Sequence, residues 1–269
     1  MRGDANTAWA ELERELDAWD AAGRTATLWW RDDDAIEPGP ALDRLLDIAA
    51  RHGAPIALAV IPADAGPALA QRLAHGDAAV AVLQHGFAHR NHAPPGKKKS
   101  ELGADRPVDE VLRELSVGQA KLATLFDGTP VSTLPVLVPP WNRIDPALVA
   151  RLAAIGFTGL STYNARPARC AAPGLLQVNT HVDIVDWRGG RGFVGTDAAI
   201  GLMIGHLEAR RLGGAEADEP TGLITHHLVH DAACWRFCEQ LAARIAGHRA
   251  ARWLDAATIF NLRSTEAPA

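Results

Sequence analysis

The chain has 269 residues, 48% of them hydrophobic and 22% charged, which suits one large apolar core and excludes a disordered, fibrous or disulfide-framework protein. Its net charge of -5 and pI of about 6.1 argue against a nucleic-acid partner. No apolar run approaches the ~20 residues of a membrane span.

The first segment, Met1 to Asp20, is acidic and amphipathic. It lacks the basic start and apolar core of a secretory signal, so a cytoplasmic location is expected. A helix over about 5–22 and a core over about 25–262 make one catalytic domain over residues 1–269 the expected organisation. Beyond the first helix, short apolar runs alternate with longer helical patterns, as in βα units around a mostly parallel sheet. Ala26–Trp30 reads as a strand and leads into Arg31-Asp32-Asp33-Asp34. Pro40–Arg51 reads as a helix, with Leu42, Leu45, Leu46 and Ala49 at helical spacing, proline in its first turn and Gly53 past its end. Strand Ile56–Val60 and helix Ala65–Ala74 follow. Strand Val80–Leu83 then leads into His85-Gly86-Phe87-Ala88-His89.

The stretch Asn91–Pro107, with Pro94-Pro95-Gly96 and Lys97-Lys98-Lys99, reads as a loop that could cover a site. Helix Val108–Phe126, strand Val136–Val138 and helix Pro146–Ile155 come next, then strands Gly159–Ser161 and Leu176–Val178. After helix Ala198–Arg211, the acidic Gly213–Pro220 segment reads as a plain surface connection. Strand Gly222–Thr225 leads into His226-His227, and Ala232–Gly247 reads as a last helix. Cys234 and Cys238 on that helix read as small buried apolar residues. Seven strands make an irregular seven-stranded (β/α) barrel the simplest α/β architecture, although an open doubly wound sheet fits the same pattern. Neither a glycine-rich dinucleotide fingerprint nor a phosphate loop is present.

The chemistry gathers at strand ends, where barrels carry their active sites. His85 and His89 are four apart. On a helical turn that spacing puts two imidazoles on one side, within reach of one metal ion. Three adjacent carboxylates, Asp32, Asp33 and Asp34, cannot all face one site if strand alternation holds. His226 and His227 cannot both point inward, and either is a candidate general acid. Asp183 and Asp186 could orient such a histidine. Trp141 and Trp187 could wall a sugar ring.

Together these residues resemble the motifs of the polysaccharide deacetylases, carbohydrate esterase family 4. Arg31-Asp32-Asp33-Asp34-Ala35 lies over Thr-Phe-Asp-Asp-Gly. His85 to His89 is similar to His-(Ser/Thr)-x-x-His, and Val138-Pro139-Pro140-Trp141-Asn142 matches half of Arg-x-Pro-(Tyr/Phe)-Gly. Asp183 through Trp187 is similar to Asp-x-x-Asp-Trp, and Ile224-Thr225-His226 to Leu-x-His. The five come in family order over residues 31 to 227.

The resemblance implies a remote member with the family's (β/α) barrel. It implies one divalent ion, Zn²⁺ first and Co²⁺, Ni²⁺, Fe²⁺ or Mn²⁺ as alternatives, on Asp34, His85 and His89. It casts Asp33 as catalytic base and His226 as general acid, supported by Arg31, Asp32, Pro140, Trp141, Asp183, Asp186, Trp187 and His227. The family arginine that pairs with the base is Val138 here, with Arg31 or Arg143 as substitutes, and the extra Asp32 leaves Asp32/Asp33 open as the working pair. The implied reaction is removal of an acyl group from an N-acylated amino sugar or glycan precursor. Alternatives are hydrolysis of a non-sugar C–N amide, or a catalytically inactive binder. The expected partner is a small molecule or glycan, and the oligomeric state is left unassigned.

Overall fold

Residues 5–262 are described by the computed structural model of the chain. Residues 1–4 and 263–269, which the domain expectation includes, lie outside the described residues. The strands in chain order are β1 (Ala26–Ala35), β2 (Ile56–Val60), β3 (Val80–His85), β4 (Ser132–Val138), β5 (Gly159–Leu160), β6 (Cys170–Ala172), β7 (Leu175–Gln177), β8 (Val182–Asp183), β9 (Thr221–Thr225) and β10 (Ala251–Trp253). The helices are α1 (Ala5–Ala21), α2 (Pro40–Arg51), α3 (Pro67–Ala74), α4 (Val108–Phe126), α5 (Pro146–Val149), α6 (Thr196–Leu212), α7 (Ala232–Gly247) and α8 (Ala256–Ile259).

Alternation along the first strands explains the layering. Trp29 of β1, Ala57 and Ala59 of β2, Ala81 and Leu83 of β3, and Val136 and Val138 of β4 form one buried cluster. Their neighbours Leu28, Trp30, Ile56, Leu58, Val60 and Val82 belong to a second, shared with α1, α2, α3, α6 and α7. Leu137 packs in a third, with Val111, Leu112 and Leu115 of α4 and Leu148 of α5. The strands are therefore apolar on both faces, as parallel strands sandwiched between an interior and a helical coat must be. The interior is mostly alanine and valine because one indole fills it. Trp29 is fully buried there, donates its N–H to the Asn179 carbonyl at 3.0 Å, and meets the edge of Phe260 just past α8.

The ladder is mostly parallel and runs β6-β7-β5-β4-β3-β2-β1-β9-β8, with β10 beside the start of β1 and β6 antiparallel to β7. Hydrogen bonds do not join its ends into a ring. Yet β7 and β8 belong to one run, Leu175 to Asp183, whose start pairs with β5 and whose end pairs with β9. The chain itself thus joins the two ends. Counting that run once gives seven staves, and the fold is an irregular (β/α) barrel.

All seven expected strands are present. The three others, β6, β8 and β10, have two or three residues each, too few to show a period. The expected Pro146–Ile155 helix is broken into α5 and a separate single turn, Ala153–Ile155. The Gly213–Pro220 segment is not a plain surface connection. Glu219 is fully buried, accepting hydrogen bonds from the backbone N–H groups of Asn179 and Arg166, while Glu216 and Asp218 hold the Arg166 guanidinium. Cys234 and Cys238 are both buried. No described helix is long and apolar enough to cross a membrane.

Closure depends on Gly222. Its carbonyl accepts from the His181 N–H at 2.7 Å, and a Cβ there would stand 2.5 Å from Trp29 Nε1 and 2.6 Å from the Asn179 carbonyl. Gly222→Ala should therefore lower stability by about 1–3 kcal/mol through overpacking. A urea midpoint equal to that of the parent would show that the staves are not closely fitted.

Candidate metal centre and active site

The mouth of the barrel is organised by a fault in β1. Asp32 pairs with Leu58 and Ala35 with Val60, so three steps of β1 run against two of β2. The extra residue is taken up at Asp34, whose φ is 71°. Alternation breaks there, and the successive carboxylates Asp33 and Asp34 line one cavity of about 750 Å³. Asp32 faces away from it. One of its oxygens accepts from Thr225 Oγ1 at 2.6 Å and the His227 backbone N–H at 3.0 Å, and the other meets His227 Nδ1 at 2.5 Å. Burial opposes charge on both partners, but each stabilises the other's ion. The Asp32 carboxyl is held below its ordinary range and the His227 imidazole above its own.

His85 and His89 converge, but not on a helical turn as their spacing suggested. Gly86 and His89 both have positive φ, 56° and 52°, and the loop between them is pinned by buried Glu101. That carboxylate accepts from the N–H groups of Phe87 and Ala88 at 3.2 and 2.7 Å. Position 86 must be glycine, since a Cβ would lie 2.0 Å from Glu101 Oε2 and 2.6 Å from Pro140 Cγ.

His85 Nδ1 lies 3.0 Å from the Val138 carbonyl, so it carries the proton and Nε2 presents a lone pair. That Nε2 is 3.2 Å from Asp34 Oδ1, and His89 Nε2 is 3.3 Å from the same oxygen. The oxygen is buried without an aligned hydrogen bond. Lone pairs crowded in this way require a proton or a cation between them. The three ligand atoms lie within 4.8 Å of one another, and the set could hold a metal ion. Without an ion, burial would raise Asp34, but His85, His226 and His89 hold it well below the usual carboxylate range. Burial would lower His85, but Asp33 and Asp34 raise it. Burial and the neighbouring His85 lower His89.

The guanidinium beside Asp33 comes from Arg31, two residues back on the same face of β1. It is fully buried and donates through Nε and Nη2 to the two Asp33 oxygens at 2.8 and 3.1 Å. Its other bonds go to Ser161 Oγ at 2.7 Å, Asn142 Oδ1 at 2.8 Å and the Thr162 carbonyl. Arg143, the other candidate, is exposed and donates to the Lys99 carbonyl instead.

Trp141 and Trp187 both line the cavity. Trp141 lies 4.3 Å from the His89 ring centroid, and Trp187 meets His226 edge-on at 4.7 Å. Trp141 and Asn142 are consecutive non-glycine residues at φ 56° and 55°, a strained turn of the kind that clusters at functional sites. Asp183 lines the cavity, accepting from Trp187 Nε1 at 2.8 Å and the Val185 N–H at 3.0 Å, and burial raises its pKa. His226 lines it too; its backbone N–H points at His230 Nε2 and its own Nδ1 is buried without an aligned partner. Asp186 is not among the lining residues and caps a turn through the N–H groups of Arg188 and Gly189. Asn91 and Lys99 also line the cavity, from the Asn91–Pro107 segment read as a loop that could cover a site, and so does Asn142 of the third motif; Arg191 and Val229 line it and were not singled out in the sequence, nor was Glu101 behind it.

A second triad, His181, His206 and Glu219, is fully buried near the other end of β9. Here the protons argue against a cation. His181 Nδ1 accepts from the Gly222 N–H at 2.9 Å, so a neutral His181 keeps its proton on Nε2, the atom facing Glu219 at 3.5 Å. Burial and the nearby Arg210 push both imidazoles down, His206 to about 2. The cluster is a neutral-histidine, arginine and glutamate network.

No profile of a known family and no curated protein matches the sequence. Solved structures do. An inferred polysaccharide deacetylase from Mycobacterium smegmatis is similar at TM-score 0.63 and 17% identity, over 89% of this chain and 90% of that one. The peptidoglycan deacetylase PdaC from Bacillus subtilis is similar at TM-score 0.52 and 13% identity, over 88% and 91%. A family 4 carbohydrate esterase from Streptomyces lividans, solved with acetate, follows at 0.50 and 19%, over 83% and 88%. At such identities the likeness is one of fold, and the fold is that of the polysaccharide deacetylases of carbohydrate esterase family 4.

The buried Asp32–His227 pair gives a test of the mouth's architecture. Asp32→Asn should cost about 3–5 kcal/mol in denaturant unfolding at neutral pH, because it strands a buried partner. The lowered Asp32 pKa means its contribution is present above the ordinary 3.8 and lost as pH falls through the folded value. The raised His227 pKa means its contribution is complete below 6.5 and lost as pH rises through the folded value. Stability of the parent should thus exceed that of the variant most at mildly acidic to neutral pH; a constant difference across pH would refute the pairing.

Proposed function

We propose that the chain is a metal-dependent hydrolase that removes an acyl group, in the first instance acetyl, from an N-acylated amino sugar or a glycan precursor. The observation that carries this is the convergence of Asp34, His85 and His89 on one point, beside an Asp33 gripped by a buried arginine and in one cavity with His226. A divalent ion on those three groups would supply Lewis acidity, activating water at neutral pH and polarising the acyl oxygen, with Zn²⁺ the first choice for the donor set and Co²⁺, Ni²⁺, Fe²⁺ or Mn²⁺ also compatible.

The chain's own groups divide the proton work. Arg31 fixes both Asp33 oxygens, so that the carboxylate meets the attacking water in one orientation and takes its proton. His226 gives a proton to the departing amine. Trp141 and Trp187 offer flat apolar faces to a sugar ring, which favours an amino-sugar amide over a small open-chain one. The inactive-binder alternative rested on the absence of the family arginine. Arg31 supplies that contact from another strand, and this supports turnover.

Purified protein should carry about one divalent ion per chain by elemental analysis, lost in His85→Ala and Asp34→Ala. Asp33→Asn should keep the ion and lower kcat by about 10²–10⁴. Metal retained in the first two variants, or full turnover in the third, would defeat the scheme. Because His85 holds a proton more tightly than an ordinary histidine, the ion must displace it. Metal affinity should therefore rise with pH, and calorimetry in buffers of different ionisation enthalpy should show proton release on binding.

A further inference from the structure

Three cations line the cavity without a carboxylate partner. Lys99 comes from the segment between β3 and α4, Arg143 from the turn after β4, and Arg191 from the segment between β8 and α6. Arg143 donates to the Lys99 carbonyl at 2.6 Å, which puts these two on one side. Arg191 sits over Trp187, 6.0 Å from its ring centroid, on the wall that also carries His226. Among the described residues no carboxylate lies within ion-pair distance of any of the three. Nearby cations differ: Lys97 meets Asp105 at 2.9 Å, and Arg106 is held by Glu110 and Glu114.

The cavity's own carboxylates are already engaged. Arg31 pairs with Asp33 and Asp34 faces the two imidazoles, while Asp183 is held by two neutral donors, Trp187 and a backbone N–H, so three unpaired cations stand against one such carboxylate. A molecule with net charge -5 therefore opens onto a locally basic mouth. A single exposed cation contributes little, but several around one concavity focus their field on whatever enters. A neutral glycan would return only hydroxyl and amide oxygens to these groups for the water it displaces, whereas an oxyanion would return hydrogen bonds between opposite charges.

We propose that the substrate of this site carries, next to its N-acyl sugar ring, an anionic group of the phosphate or carboxylate class, received by Lys99, Arg143 and Arg191. The sugar part rests on the hydrolase reading above; the anion part rests on the charges alone.

The test is calorimetric titration of metal-loaded protein at low ionic strength with N-acetylglucosamine, N-acetylglucosamine 1-phosphate and N-acetylmuramic acid. At least one acidic sugar should bind about tenfold or more tightly than the neutral one, and the advantage should shrink at physiological salt. Whichever acidic sugar binds better identifies the anion as phosphate or carboxylate. The double variant Arg143→Gln/Arg191→Gln should bring the acidic sugar to within about threefold of the neutral one. Equal affinities, no binding by either acidic sugar, or a preference untouched by the double variant would overturn the proposal, the last by assigning the anion to the metal. Acetate release is read separately. Acidic-sugar preference without acetate release would sink the hydrolase reading and leave the basic mouth standing. Acetate release from the neutral sugar without any preference would do the reverse.

Discussion

A strand sends successive side chains to opposite faces, and the site exists because β1 stops doing so at Asp34. Up to that point the rule holds: Trp29, Arg31 and Asp33 face the interior, while Leu28, Trp30 and Asp32 face the helical coat. The positive φ at Asp34 adds one step, and a second consecutive carboxylate turns into the cavity. Three adjacent acids would repel one another at high cost if left unpaired, and each meets a different counter-group. Asp32 neutralises His227, Asp33 is neutralised by Arg31, and Asp34 faces two imidazoles. Alternation separates Asp32 from Asp33, and the irregularity brings Asp34 to the same cavity as Asp33.

The two histidine triads show how little composition decides. Each has two imidazoles and one carboxylate with ligand atoms within 4.8 Å. They differ in what the far nitrogen touches. His85 Nδ1 faces a carbonyl, so the proton is drawn away from the shared point; His181 Nδ1 faces an N–H, so the proton stays at it. A hydrogen-bond partner on a neighbouring strand thus sets whether a histidine offers an acceptor or a donor. The Val138 carbonyl sets it at the mouth, and the Gly222 N–H sets it near the other end of β9.

These differences explain what was legible in the sequence and what was not. Strands with clear apolar runs and the polar residues at their ends were readable, because both follow from local period and from the rule that barrels present chemistry at strand ends. The shape of the His85–His89 turn was not, since it depends on Glu101, which lies twelve residues beyond His89 and reaches back to the Phe87 and Ala88 N–H groups. The burial of Glu219 was hidden for a similar reason. Its neighbours Gly213 to Asp218 are glycines, alanines and two acids with no apolar period, and only the return of Arg166 and Asn179 across the sheet makes its position an interior one. Local pattern carries the scaffold; contacts distant in sequence carry the orientation of the groups that do chemistry.

The apolar residue at position 138 follows from the same interior. Val138 packs on the inward side of β4, in the cluster with Trp29, Ala59 and Leu83. Arg31 already occupies that side and spends its donors on Asp33, Ser161, Asn142 and Thr162. A second arginine at 138 would bring another buried cation toward a carboxylate whose two oxygens are taken, leaving one charge unpaired in a dry interior. With Arg31 in place, an apolar residue at 138 is the stable choice. Its side chain fills the barrel, while its backbone carbonyl accepts from the Gly86 N–H and from His85 Nδ1, whose tautomer it fixes. An arginine at position 31 and an apolar residue at position 138 are therefore two parts of one interior, in which Asp33 takes its guanidinium from its own strand.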